Sequence, residues 1–173
     1  MGAVSSGFLL FGVALVFITA QTLDFFELRL LFSYLDDKEL PLLLVLAMHS
    51  TFIGFWFKLS ISPFHSWTPD VYEGVLTPVT FFFSTVVKLG VFTFFVRTLF
   101  FLFGSADFVQ LWALSFEVAA LSSIVAGALG ALRQTKIKRF IGYTTINQAG
   151  YLLIGLCSED LFGLQASFLY LFI

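Results

Sequence analysis

Five long apolar runs, at roughly 2–22, 40–61, 78–101, 108–132 and 138–157, constrain this chain more than any other feature. Each is close to the about 20 residues that an α-helix needs to cross the hydrocarbon of a bilayer. The runs are continuously apolar and do not alternate, so membrane-spanning strands are not expected. Composition agrees: of 173 residues, 59% are hydrophobic and only 12% charged, about half the charged share of a soluble domain. Such a chain cannot cover a globule with polar surface, so its natural solvent is lipid. The expected fold class is all-α, a polytopic transmembrane bundle of five to six helices forming one membrane domain over 1–173. A sixth run begins near Leu161 and reaches Ile173, too short for a comfortable span. The opening MGAVSSGFLLFGVALVFITA has no basic residue ahead of its apolar run. It reads as a first transmembrane helix and not as a secretory signal.

The connecting segments carry most of the charge. Residues 24–39 hold Asp24, Glu27, Asp36, Asp37 and Glu39 against Arg29 and Lys38, whereas RQTKIKR at 133–139 holds four cations and no acid. With five spans, the basic loop lies opposite the 24–39 and 158–160 loops and on the same side as residues 62–77. The positive-inside rule assigns that side to the cytoplasm or the mitochondrial matrix. A net charge of −2 gives no basic field to attract nucleic acid. A single cysteine, Cys157, excludes an internal disulfide and a cysteine metal site, and His49 and His65 alone cannot build a zinc site. No metal site is expected in this chain.

Two lysines interrupt the apolar runs. Lys58 lies near the end of the second, in FKLSISPFHSWTPDVYEG at 57–74, and Lys88 lies inside the third. A lysine at a helix end can snorkel to the interface. Lys88 has less freedom, since at about 1.5 Å per residue it stands about 15 Å from Pro78. That is near the middle of a core about 30 Å thick, where charge is expensive and usually functional. Ser84 and Thr85, one turn earlier, make that face polar. Pro63 removes a backbone donor and should break the second helix near Lys58. A break inside a membrane needs protein or water to receive its freed backbone groups, conditions in which a lysine can exchange a proton. The alternative is that Pro63 simply opens a surface loop. In the fifth run Thr144, Asn147, Gln148 and Tyr151 form one polar stripe, suited to ordering water or to bonding neighbouring helices. Ser122, Ala126 and Gly130 recur at a spacing that favours close helix packing. His49 and Glu117 read as structural residues.

These stretches carry a resemblance. FKLSISPFHSWTPDVYEGVLTPVTFFFSTVVKLGVF at 57–92 and ALRQTKIKRFIGYTTINQAGYLLIG at 131–155 resemble the antiporter-like membrane subunits of respiratory complex I, nearest to the N-type, NADH dehydrogenase subunit 2. GAVSSGFLLFG at 2–12 resembles the opening of that family's sixth helix. The resemblance implies a partial antiporter-like fold with one proline-broken helix. Residues 1–101 would end the first inverted repeat, and 108–173 would begin the second. It implies a proton relay in which Lys58 occupies the broken seventh helix and Lys88 the eighth, with Pro63 and His65 in the break. Ser84, Thr85, Thr144, Asn147, Gln148 and Tyr151 would be polar lining.

The implied function is that of a membrane-arm core subunit of proton-pumping NADH:ubiquinone oxidoreductase with no redox active site of its own. NADH, flavin, iron–sulfur clusters and quinone would be handled elsewhere in the complex. The implied partners are other membrane subunits and lipids, with no nucleic acid. The implied location is the mitochondrial inner membrane, ahead of a bacterial plasma membrane, with RQTKIKR in the matrix. The family's fifth-helix glutamate and twelfth-helix lysine have no counterpart here, so a fragmented subunit is expected, with flanking helices from other chains. Gln148, where many relatives have histidine, cannot titrate. Two rival readings follow: a structural membrane-arm subunit that no longer pumps, and a cation/proton antiporter subunit.

Overall fold

In hydrocarbon every backbone polar group must find a partner within the protein, so apolar segments become helices. The computed structural model describes residues 2–33, 42–102, 106–158 and 161–173, and among these no strand occurs. The helices are α1 (Gly2–Ala20), α2 (Phe25–Ser33), α3 (Leu42–Leu59), α4 (Trp67–Gly74), α5 (Thr77–Phe82), α6 (Lys88–Leu102), α7 (Ala106–Leu132), α8 (Ile137–Cys157) and α9 (Leu161–Phe172). A π-helical segment, Phe83–Val87, joins α5 to α6. Asp36, Asp37, Lys38 and Glu39 of the charged segment expected at 24–39, and Glu159 and Asp160, lie outside the described residues.

Four stretches are long and apolar enough to cross a bilayer: Gly2–Ala20, Leu42–Leu59, Thr77–Phe100 and Trp112–Leu132. The fifth expected span, α8, has the length at 21 residues but is diluted by Thr144, Thr145, Asn147 and Gln148. The sixth run forms the 12-residue α9.

Two short helices were not expected: residues 62–77 and 24–39 read as connecting loops, yet Trp67–Gly74 is α4 and Phe25–Ser33 is α2. The start of α2 is marked by Asp24, whose Oδ1 accepts the Phe26 N–H at 2.8 Å, and by Glu27, which accepts the Thr22 hydroxyl at 2.6 Å. An acid before the first turn and another three residues on is a capping signature.

The chain forms two compact units. One comprises residues up to Phe55 together with Phe92–Trp112. Within it α1 lies close on α3. Ser5 Oγ donates to the Gly54 carbonyl at 3.2 Å, and a side chain at Gly12 or Gly54 would run into Thr51 or Leu9. Aromatic pairs, Phe52–Phe95 and Phe55–Phe94, tie α3 to α6, and the Arg97 guanidinium sits 5.6 Å over the Phe25 ring.

The other unit comprises Trp56–Val91 and Ala113–Ile173 and is built around α8. Gly127 and Gly130 of α7 meet Asn147 and Tyr143, Gly150 meets Ala120 and Ile124, and Gly155 meets Ser167 and Gly163 of α9. Small residues thus let helices approach closely, but in a register different from the expected 122–126–130 stripe. Ser123 is fully buried, while Ser122 and Ala126 are half-buried. Only Gly130 belongs to both sets.

Candidate functional site

The break after Lys58 is made by Ser60. This residue adopts a left-handed φ of 66°, Ile61 N–H reaches back to the Trp56 carbonyl at 2.9 Å, and Ser60 N–H bonds the Phe57 carbonyl at 3.3 Å. That pair of bonds is a Schellman cap, usually built on glycine. The expectation that Pro63 stops the helix is corrected in this respect: the helix has ended at Leu59, four residues earlier, and the Ser62–Pro63 peptide, which is cis, lies in the connecting turn.

That turn is no surface loop, since Ser60, Ile61 and Ser62 are buried. Its polar groups are satisfied by protein. The Ser62 N–H donates to Ser123 Oγ of α7 at 2.8 Å, Thr68 Oγ1 donates to Ser60 Oγ at 2.6 Å, and the Trp67 indole donates to the Phe57 carbonyl at 3.0 Å. This meets the requirement for irregular backbone at membrane depth. Lys58 is exposed, and the ion pairs among the described residues join Asp70 and Glu73 to Lys136 and Arg139. Pro63 is exposed and His65 half-buried. The His65 Nδ1 is buried without a hydrogen-bond partner.

Lys88 follows the π-helical segment directly. Such segments widen the helical ladder by one residue and often mark functional sites. A local cause is present: Ser84 Oγ and Thr85 Oγ1 both return to the Phe81 carbonyl, at 3.0 and 2.8 Å, and hydroxyls that do so compete with the ladder. Their protons are committed to their own helix, which leaves only lone pairs to offer to other groups. The half-buried Lys88 ammonium donates to the backbone carbonyl of Thr145 in α8 at 3.3 Å. Thr145, absent from the expected site, is buried; its hydroxyl bonds the Gly142 carbonyl at 2.7 Å and lies within side-chain hydrogen-bonding reach of Tyr72 in α4.

The expected polar stripe of α8 is not one inward face. Thr144 is half-buried and bonds its own helix at the Ile141 carbonyl. Asn147 is half-buried with its Oδ1 unpartnered, Gln148 is exposed, and Tyr151 is exposed against the Tyr170 ring. His49 is occupied by the Val45 carbonyl at 2.8 Å, and Glu117 is exposed.

A charged contact joins the two segments that topology placed on one side of the membrane. Lys136 pairs with Glu73, Arg139 with Asp70 at 2.9 Å and with Glu73 at 3.5 Å, and Lys138 Nζ caps the Val75 carbonyl at 2.7 Å. Gly142 permits this approach, because a Cβ there would lie 2.9 Å from the Pro69 backbone. The hydrogen bond from Lys136 holds the Glu73 carboxyl below its ordinary range, against the opposing effect of burial and with help from the charges of Lys136 and Arg139. The pairing is therefore complete above the usual carboxylate range and is lost as pH falls through the lowered value.

With this geometry in hand, likeness to known proteins becomes decisive. The signature of the NADH:quinone oxidoreductase/Mrp antiporter transmembrane family matches residues 1–173. The chain belongs to this family. Relatives within it include the NADH-quinone oxidoreductase subunit N of Buchnera aphidicola, 42% identical over 99% of this chain, and that of Erythrobacter litoralis, 41% identical over 99%. The chain spans about a third of their length, 35% and 34% respectively. Among solved structures, respiratory complex I from Thermus thermophilus contains a chain that superposes with a TM-score of 0.71 at 28% identity. The match covers 98% of this chain and 35% of that one. The Mrp complex from Dietzia gives a TM-score of 0.82 at 20% identity, over 98% of this chain and 30% of that one, which is a likeness of fold. The family fold is thus a helical, multi-pass membrane fold of the antiporter-like kind.

Proposed function

We propose that this chain forms part of a membrane-arm subunit of proton-pumping NADH:quinone oxidoreductase, and that Lys58 and Lys88 carry its protons. The observation that carries the reading is Lys88: a lysine inside a 24-residue apolar span, directly after a π-helical segment and held by a backbone carbonyl of α8. A carbonyl accepts from the lysine nitrogen whether that nitrogen is charged or neutral, so the contact holds Nζ in place without fixing its proton. Lys58, exposed at the cut end of α3, would load and release the proton, and Lys88 would relay it. Pro63 and His65 stand in the connecting turn. The hydroxyl lone pairs of Ser84 and Thr85 and the side chains of Thr144, Asn147, Gln148 and Tyr151 are the candidate water-ordering groups.

In this reading residues 1–101 close one antiporter-like repeat and 108–173 open the next. The chain binds no redox cofactor, and other membrane subunits and lipid are its partners. The basic loop faces the cytoplasm or matrix. The relatives named above are bacterial, so a bacterial plasma membrane suits the comparisons as well as a mitochondrial inner membrane.

The test is Lys88→Met and Lys58→Met in the full-length subunit within its complex, with protons moved per electron pair measured in sealed vesicles. Each substitution is expected to at least halve the stoichiometry while assembly persists. Unchanged pumping in both would overturn the assignment. Two rivals keep specific support. The lack of a carboxylate on Lys58 among the described residues favours a structural subunit that does not pump. Membership of a family that also takes in Mrp antiporters favours a cation/proton antiporter subunit, which would show lysine-dependent exchange without electron transfer.

A further inference from the structure

We infer that the contact between α4 and the basic start of α8 is a positioning clamp for the proton step at Lys88, with Glu73, Lys136 and Arg139 as positioning residues. This rests on the pumping role proposed above.

The short helix α4 follows the break directly and touches α8 at three successive levels. At the first, Glu73 is held by both Lys136 and Arg139, Asp70 by Arg139, and the carbonyl of Val75 by Lys138. At the second, the Pro69 backbone lies against Gly142. At the third, the buried Tyr72 of α4 lies beside the Thr145 side chain, and the Thr145 backbone carbonyl accepts from Lys88 Nζ. The contact that fixes α4 is thus continuous with the contact that fixes Lys88.

Charge placement argues that the pairing is for geometry. Cations at a helix N-terminus and an acid in the last turn both oppose the helix dipole. The first residues of α8 carry Lys138 and Arg139 with Lys136 at its N-cap, and the last turn of α4 carries Glu73. Lys136, Lys138 and Arg139 stand at the wrong end of α8 and Glu73 at the wrong end of α4, whereas Asp70 suits the first turn of α4; the pairing sets the positive start of α8 against Glu73 and Asp70. Exposed ion pairs add little to stability, so removing one should leave the subunit assembled while freeing α4 to shift.

The experiment uses the full-length subunit in its complex and compares Glu73→Lys, the charge exchange Glu73→Lys with Lys136→Glu, and Lys88→Met. Glu73→Lys is expected to cut protons per electron pair to less than half at unchanged subunit content. The exchange is expected to restore most of the loss, which a residue needed only for its shape would not show. Should Glu73→Lys fail to assemble, Glu73→Gln keeps the size and is expected to lower the stoichiometry by about a third. Normal pumping in the assembled Glu73 variant, or an exchange that restores nothing, overturns the clamp while Lys88→Met still at least halves the stoichiometry. If Lys88→Met itself pumps normally, Lys88 carries no proton and the clamp fails with it; if Lys58→Met does so too, the proposed function fails.

Discussion

Two helices in this chain are interrupted beside a lysine, and they are held in different ways. After Lys58 the chain leaves α3 through a left-handed Ser60, and its backbone groups are taken up by Ser123 of α7 and Trp67 of α4. Before Lys88 the helix widens into a π turn whose hydroxyls, Ser84 and Thr85, both bond the Phe81 carbonyl within the same helix. The first interruption depends on residues far along the chain, the second on residues within one turn. Their lysines differ in parallel: Lys58 is exposed, whereas Lys88 is half-buried and bonded to α8. A break that must turn the chain needs outside support. A π turn, which keeps the helix running, does not.

Substitutions that separate the two kinds of support should therefore rank in a fixed order, read as unfolding of the purified protein in detergent. Ser60→Val should cost most, about 2–3 kcal/mol, because a β-branched residue is forced to positive φ and the buried Thr68 hydroxyl loses its acceptor. Ser123→Ala should follow at about 1–2 kcal/mol, since it leaves the buried Ser62 N–H unpaired. Thr85→Ala should cost least, about 0.5 kcal/mol or less, because Ser84 still bonds the same Phe81 carbonyl. A Thr85→Ala effect as large as that of Ser60→Val would erase the distinction between the two interruptions. A Ser123→Ala effect near zero would move the support of the break away from α7.

Much of this was legible in the sequence, and the misses have physical causes. Apolar runs of spanning length locate α1, α3, α7 and α8 because lipid leaves the backbone no other choice. The capping acids Asp24 and Glu27 announced α2, but among many charges they read as loop. Pro63 pointed to a break at the right place, yet serine is an unusual residue for the left-handed position that makes it. The polarity of Ser84 and Thr85 was visible; that their protons turn back to Phe81 was not, because periodicity says which face a residue occupies and not what its hydroxyl chooses. Thr145 escaped notice since it serves Lys88 through a carbonyl that every residue has. Asp70, Glu73 and the basic loop stood in plain view as charges, but their pairing spans 63 to 69 residues, beyond any local pattern.

The bond from Ser62 to Ser123 also has a consequence in time. Its two partners are 61 residues apart, and chains lengthen by about 5–20 residues per second. For about 3–12 s after Ser62 is added to the growing chain, the serine that receives its N–H does not exist, and α8 comes later still. The cut end of α3 must wait in the insertion machinery or at the lipid surface with its amide on water. Lys58, at that same end, is the natural anchor for the wait.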